Sequence, residues 1–293
     1  MNLQTLAIRT QVIDATRQFF RKQNFREVDT PVLLPSLPLE QNLYSFKTTW
    51  EQRHEDYYMS ISPESTLKKL LAAGFGNCFA LSKCFRNLEN TGDTHYFEFT
   101  MLEYYELAKD YKDIASKTHK LINYICERIG KKEVKRVNFR LADLFRDFAA
   151  INLDEYLADP NFSEPDFNQT FLNKIEPQLP IDKLVIIFDY PTRLSPLALP
   201  IKDTPYSQRF EVYLRGVEIG NGNTESTMAP DILSAFYLEQ KYRLDHQLPT
   251  HPIDTDFVNA CRQLPACAGI GLGIDRIAMI MAGTTTISDV LWL

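Results

Sequence analysis

Apolar positions along this chain switch repeatedly between helical and alternating spacing, and the switches predict its elements. From residue 3 to 23 they recur every three or four positions, with Leu6, Val12, Ile13, Phe19 and Phe20 among them, which predicts an amphipathic helix. An extended stretch from Phe25 to Leu34 follows, and Pro31 keeps it at the edge of any sheet. Tyr57 to Ile61 predicts a short strand. Ser62-Pro63-Glu64 then predicts a helix start, with Ser as N-cap, Pro in the first turn and an acid behind it, and Gly74 marks the end. Phe79 to Arg86 and Glu98 to Tyr105 read as strands joined by a polar loop, and in the second Phe99, Met101, Glu103 and Tyr105 alternate onto one face. Asp110 to Ile129 predicts a helix stopped by Gly130. Residues 131–180 read as partly helical, broken at Asp159-Pro160 and Glu164-Pro165, and suit an insertion over one side of a sheet. Leu184 to Asp189 is an apolar strand and Asp231 to Asp245 a helix. Ala268 to Arg276 is a strand with alternating glycines that leads into an apolar helix ending at Ala282.

A hairpin organises these pieces. Phe210 to Leu214 and Val217 to Ile219 are joined by Arg215-Gly216, a two-residue turn. That turn sets Tyr213 opposite Glu218 and Val212 opposite Ile219. Glu211, Tyr213, Glu218 and Gly220 then share one face, and Val212, Leu214, Val217 and Ile219 share the other. Two carboxylates on one face repel unless a cation lies between them, and Mg2+ bridging phosphate oxygens would supply that charge. For an isolated hairpin a solvated outer face explains two glutamates as well. The run Gly220-Asn221-Gly222-Asn223-Thr224-Glu225 favours a ligand, because glycines flanking an amide hold backbone close to it.

Composition narrows the class without choosing a chemistry. At 293 residues, 44% hydrophobic and 24% charged, the chain can bury a sizeable core. A net charge of -6 argues against broad non-specific nucleic-acid binding and leaves room for a local patch. No apolar run reaches the roughly 20 residues of a membrane span and no signal peptide opens the chain, so a cytoplasmic location is expected. The five cysteines lack C-x2-C spacing and read as small buried residues. His251 reads as a packing residue, since no second ligand lies at metal spacing.

Several side chains carry two readings. Glu64 pairs with its own helix dipole or holds a ligand ammonium group. Arg86 forms a surface ion pair with Glu103 or binds a carboxylate or phosphate through its fork of donors. Phe99, Glu103 and Tyr105 on one face make a pocket for a flat ring at one end and a cation at the other. The terminal glycines resemble a dinucleotide fingerprint, but that fold needs an acid about 20 residues later. Only 17 residues follow Arg276. A bare strand face for a ligand, with Arg276 at the helix start, is the remaining reading.

Taken together, Pro31, Phe85-Arg86-Asn87, Glu98-Phe99-Thr100-Met101 and Gly271-Leu272-Gly273-Ile274-Asp275-Arg276 resemble the three motifs of class II aminoacyl-tRNA synthetases of the lysine type. The resemblance covers nearly the whole chain and implies an α+β fold, an antiparallel sheet flanked by helices, as one catalytic domain over 1–293 without an anticodon-binding domain. A core of this kind is most similar to the elongation factor P lysine ligases. That implies an ATP- and Mg2+-dependent, homodimeric enzyme that forms a lysyl or β-lysyl adenylate and passes the acyl group to a lysine of elongation factor P. The alternatives are a free-standing core that charges tRNA or another small acceptor, and a non-catalytic amino-acid sensor.

The resemblance also implies roles. Glu64 holds the substrate α- or β-amino group, Glu103, Tyr105 and Glu225 the ε-ammonium, and Asn221 and Arg86 the carboxylate. Phe99 and Arg276 sandwich adenine, Glu89 and His95 contact the nucleotide, and Glu211 and Glu218 hold Mg2+. Arg86 neutralises charge as the carboxylate attacks the α-phosphate, so Arg86, Glu211, Glu218 and Arg276 form the catalytic set. Three positions depart from the family pattern. Asp93 stands near a usual arginine, Asn223 where Phe is usual, and Gly220 where the protein ligases have Ala, which leaves α-lysine and β-lysine both open.

Overall fold

The computed structural model describes residues 3–88 and 92–291. Helix α1 (Leu3–Arg21) runs into two short extended pieces, β1 (Arg26–Glu27) and β2 (Leu33–Leu34). Strands β3 (Lys47–Trp50) and β4 (Glu55–Met59) join β2 in a small sheet of order β2-β4-β3. Next come α2 (Glu64–Ala72), β5 (Cys78–Phe85), β6 (Glu98–Leu107) and α3 (Tyr111–Arg128). The inserted region contributes β7 (Arg136–Arg140), α4 (Leu141–Leu144), α5 (Leu153–Ala158) and α6 (Glu164–Thr170). The chain continues through β8 (Leu184–Pro191), β9 (Tyr206–Leu214), β10 (Val217–Thr224), α7 (Ala229–Asp245), α8 (Thr255–Arg262), β11 (Cys267–Gly273) and α9 (Ile274–Ala282).

The main sheet has the order β1-β5-β6-β11-β10-β9-β8-β7. Its central strands, β5 through β8, pair antiparallel, as expected of the fold class. Each edge adds a parallel pair, β1 with β5 and β7 with β8.

Alternation in the strands decides where the layers go. Leu102 and Tyr104, Phe210 and Val212, and Ile270 and Leu272 point to one face and pack with residues of α1, α3 and α9 as the main core. Phe20 of α1 anchors it, its ring 5.0 Å from that of Phe79 and 4.6 Å from that of Tyr104. Helix α3 is held at both ends: Asp110 and Asp113 form a reciprocal capping box, and Gly130 takes a left-handed φ of +71° just past the end. The opposite face is covered only at its two sides. Leu67, Leu71, Phe236 and Phe257 from α2, α7 and α8 pack over Cys78, Ala80 and Tyr105. The helices of residues 141–179 pack over Val185, Ile187 and Tyr213. Between these two clusters lie Glu103, Asn221 and Glu211, residues singled out in the sequence.

Some expectations shift in detail. Helix α2 begins at Glu64 with Pro63 in the cap position, while the Ser62 hydroxyl accepts a 3.4 Å hydrogen bond from the Glu64 amide. Glu164-Pro165 starts a helix rather than breaking one. Ser163 caps α6, and Pro165 lies in the first turn, where a missing N–H costs nothing. All five cysteines are buried and free. His251 is buried with its ring 5.2 Å from that of Tyr58, a packing residue as expected. No helix among the described residues is long and apolar enough to cross a membrane.

Candidate active site

The hairpin forms with the expected turn, and Arg215 and Gly216 both take left-handed φ, +53° and +76°. Tyr213 lies opposite Glu218 as the turn requires, but a bulge between Glu218 and Gly220 then pairs Gly220 with Val212 and Asn221 with Glu211. The extra residue, Ile219, is fully buried in the core. An inserted residue resets the alternation. Gly220 therefore faces the core instead of sharing the Glu211 face, and Asn221 takes the position beside Glu211. A Cβ at Gly220 would lie 2.1 Å from the Gly271 carbonyl oxygen and 2.8 Å from Leu272 Cδ2. Close backbone approach, rather than pocket volume, explains this glycine.

With the bulge in place the site is two rows of residues across the sheet. One row runs Ala80, Glu103, Gly271, Asn221, Glu211, and the next runs Cys78, Tyr105, Gly269, Asn223, Arg209. The glycines of β11 form the floor. The Tyr105 ring lies directly over Gly269, where a Cβ would come within 2.3 Å of it. A Cβ at Gly271 would stand 3.3 Å from Met101 Sδ and 3.9 Å from Glu103 Oε2.

One end of this floor is acidic. Glu103 is 4% exposed, and the Tyr105 hydroxyl donates to its Oε1 at 2.5 Å. Burial, followed by the charge of Glu64, pushes the Glu103 carboxyl well above its ordinary range. Glu225, at the end of β10, is pushed up to about 7 by burial, against the pull of Lys68. Lys68 is the feature that sequence reasoning missed here. Its Nζ lies 2.6 Å from Glu64 Oε1 and 2.5 Å from Glu225 Oε2, and its side chain is 1% exposed. In sequence it is the i+4 partner of Glu64 and looks like a surface pair. The available sign was its place beside Leu67 and three positions before Leu71, on the buried side of α2. Asn223, the departure from the family pattern, donates from Nδ2 to Glu225 Oε1 at 2.8 Å. Glu40, also unforeseen, faces Glu64, Arg86, Lys68 and Arg209, and burial followed by Glu64 raises it to about 7. Helix α2 is fixed against α8, with Ser65 and Lys69 both bonded to Asp254.

The other end collects arginines, aromatics and the hairpin acids. The Arg86 guanidinium lies 5.1 Å from the centre of the Phe99 ring, and its Nε is buried without a hydrogen-bond partner among the described residues. No Arg86–Glu103 ion pair forms among those residues. Arg276 donates from Nε to the Thr94 carbonyl at 3.1 Å and from Nη1 to the Glu218 carbonyl at 2.8 Å. Asp275 fixes this corner: it accepts from Arg9 Nε at 2.7 Å and from the Thr100 amide at 2.6 Å, tying α1, β6 and α9 together. Glu211 accepts from the Tyr213 hydroxyl at 2.8 Å and from Arg209 Nη2 at 3.2 Å. Burial and the Glu218 charge raise its carboxyl. Glu218 is half-exposed. Two mutually repelling carboxylates on one face suit a cation that takes its other ligands from a phosphate and water. His95 sits in the second-motif loop beside Thr94, 3.0 Å from its hydroxyl. Glu89 lies outside the described residues.

The floor, the acidic end and the arginine end are thus brought together on one face of the sheet. The family described as tRNA synthetases class II (D, K and N) matches residues 1–293. The elongation factor P--(R)-beta-lysine ligase of Buchnera aphidicola subsp. Schizaphis graminum is 31% identical over 313 residues, covering 99% of this chain and 95% of the relative. The protein of the same name from Avibacterium paragallinarum is 32% identical over 311 residues, with coverage of 99% and 95%. That of Photorhabdus laumondii is 32% identical over 302 residues, with coverage of 97% and 92%. Matched over its whole length, this chain belongs to the class II tRNA synthetase family of D, K and N type, ATP-dependent enzymes that form aminoacyl adenylates.

Proposed function

We propose that this chain activates lysine or β-lysine as an adenylate and transfers the acyl group to a lysine of elongation factor P, in the manner named for its relatives. The observation that carries the amino-acid class is Glu103. A carboxylate this buried, with a hydroxyl but, among the described residues, no cation bonded to it, is costly to ionise until a ligand ammonium group arrives. Glu103 and Tyr105 receive the side-chain ammonium, and Glu64 the second amino group. Asn221 lies open on the same face as Glu211, and with Arg86 it orients the substrate carboxylate toward the phosphate.

Arg86 supplies the fork of donors for the charge that develops as a carboxylate oxygen bonds to the α-phosphorus and pyrophosphate departs. Phe99 and Arg276 hold the adenine between ring and guanidinium, with Glu89 and His95 on the nucleotide. Mg2+, held by Glu211 and Glu218, would supply positive charge to the triphosphate. The protein contributes position and charge and no nucleophile of its own. In the second half-reaction an acceptor amine attacks the acyl carbon, the bond to AMP breaks, and an amide forms. A homodimer built on α1 and the β2 region accounts for the exposed Leu3, Val32 and Leu33.

The test of the first half-reaction is amino-acid-dependent exchange of labelled pyrophosphate into ATP, run with lysine, β-lysine, ornithine and norleucine. Exchange with lysine or β-lysine and none with norleucine is expected. Equal exchange with norleucine would remove the ammonium pocket from the account.

A further inference from the structure

The stretch between β2 and β3, residues 35–46, has no regular structure, yet it is pinned along its length. Leu37 and Leu39 are buried, and Leu37 bridges to Ile253. Arg243 of α7 is fully buried and paired with Glu239 at 2.7 Å. Its guanidinium also donates to the Glu40 carbonyl at 2.6 Å and to the Leu43 carbonyl at 3.0 Å, charge-assisted bonds that fix the backbone at Glu40. Farther on, Tyr44 bridges to Asn87, whose amide donates to the Tyr44 carbonyl at 2.7 Å, one residue beyond Arg86. The stretch therefore crosses from α7 to the second motif as an anchored strap.

So anchored, the Glu40 side chain faces Glu64 and Lys68 of α2, Arg86 just past the end of β5, and Arg209 of β9. In the reading above Glu64 and Arg86 take the amino and carboxyl groups of the amino acid. A side chain facing both overlooks the carboxyl carbon that becomes the acyl centre. Among the described residues no hydrogen bond or ion pair reaches the Glu40 carboxylate. The other acids of the site are engaged: Glu64 and Glu225 by Lys68, Glu103 by the Tyr105 hydroxyl, and Glu211 by Tyr213 and Arg209. Glu218 stands 3.9 Å from Arg276. Glu103 and Glu225 are closed off, at 4% and 6% exposure, whereas Glu40 is part-buried and can be reached from solvent.

We infer that Glu40 is the base of the transfer step, the group that takes a proton from the acceptor's lysine ammonium so that its nitrogen can attack. This rests on the proposed function and adds a catalytic residue to its second half-reaction. One proton passes from the acceptor nitrogen to a Glu40 oxygen. The freed lone pair bonds to the acyl carbon, the bond from that carbon to the AMP oxygen breaks, and its electron pair leaves with the phosphate. The second proton of the nitrogen goes to water as the amide forms. A base serves best when it exchanges protons near the working pH. Burial, followed by the charge of Glu64, raises the Glu40 carboxyl to about 7, against the pull of Arg86, Lys68 and Arg209. A glutamate at its ordinary value would be a much weaker base.

The experiment separates the two half-reactions in the wild type and E40Q. Adenylate formed on the enzyme from lysine or β-lysine is mixed with elongation factor P, and a single turnover of transfer is followed by intact mass. Amino-acid-dependent pyrophosphate exchange is measured beside it. In E40Q transfer should slow by roughly 100-fold or more, the usual contribution of a general base, while exchange falls by less than about tenfold. Wild-type transfer should speed up as pH rises through about 7, where Glu40 ionises, and E40Q should lose that rise. Hydroxylamine, a nucleophile uncharged at neutral pH, needs no base and should discharge the adenylate on both proteins at rates within about threefold. Transfer by E40Q at the wild-type rate would overturn the inference. So would an exchange defect as large as the transfer defect, which would make Glu40 a ligand of the amino acid, or an equal loss toward hydroxylamine, which would mean a misplaced adenylate. A wild type that shows no exchange, or that exchanges and leaves the factor unmodified, instead overturns the functional reading and this inference with it.

Discussion

Replacing Glu103 by Gln should weaken the enzyme's grip on lysine while strengthening the fold. The side chain is 4% exposed and is bonded to the Tyr105 hydroxyl, a bond that the Gln carbonyl oxygen can keep. Losing one member of a buried charge pair costs about 2–5 kcal/mol of binding, so lysine affinity should fall by roughly 100-fold, with ATP affinity unaffected. The stability effect runs the other way. Burial and Glu64 hold the folded-state carboxyl well above its ordinary value of 4.5. The unfolded chain therefore releases this proton at lower pH than the folded chain does. Stability from this group is intact below about pH 4.5 and is lost as pH rises toward the folded-state value. The Gln variant escapes that loss. In a thermal melt its Tm should exceed that of the wild type at pH 8, and the two should converge near pH 4. Added lysine should raise Tm for the wild type and leave the variant nearly unmoved. If Glu103→Gln lowered Tm at pH 8 in step with lysine affinity, the carboxylate would be a structural partner and the vacant-acid argument would fail.

Glu218→Gln should reduce Mg2+-dependent pyrophosphate exchange by roughly 100-fold or more, by removing one of two carboxylates beside the triphosphate. Because Glu218 is half-exposed, its Tm should stay close to that of the wild type, and exchange at the wild-type rate would detach the hairpin from the metal. Gly269→Ala places a Cβ 2.3 Å from the Tyr105 ring, so the ring must move. A stability loss of about 1–3 kcal/mol in urea unfolding is expected, with weaker lysine binding alongside it; full stability would show that the ring is not seated on this glycine.

The parts of this site that lie on regular strands were legible in the sequence, and the parts that depend on irregular or distant contacts were not. Phe99, Met101, Glu103 and Tyr105 share a face because a strand alternates, and the structure has that face. The Arg215-Gly216 turn fixed the Tyr213–Glu218 pairing for the same reason of local geometry. The bulge at Ile219 was hidden, since an apolar residue next to Gly220 fits a regular strand as well as an extra buried residue. It moved Gly220 to the core and Asn221 to the site. Lys68 was hidden because its second partner, Glu225, comes from the far end of β10, and no pattern within α2 announces it. Glu40 lies in a stretch between β2 and β3 with no period to read, and Arg209 stands just outside the Phe210 to Leu214 strand that the sequence predicts. Strand β3 escaped notice because all four of its residues are exposed and give no alternation. The buried free cysteines and His251 followed from spacing alone.

The central claim is that this chain joins a diamino acid to a protein amine, and the intact mass of elongation factor P tests it most directly. The factor is incubated with the enzyme, ATP, Mg2+ and either lysine or β-lysine, with tRNA charging followed in parallel. The account predicts a gain of one lysyl mass on the protein and none on tRNA, with the better donor identifying the substrate. An unchanged factor and a charged tRNA would contradict it.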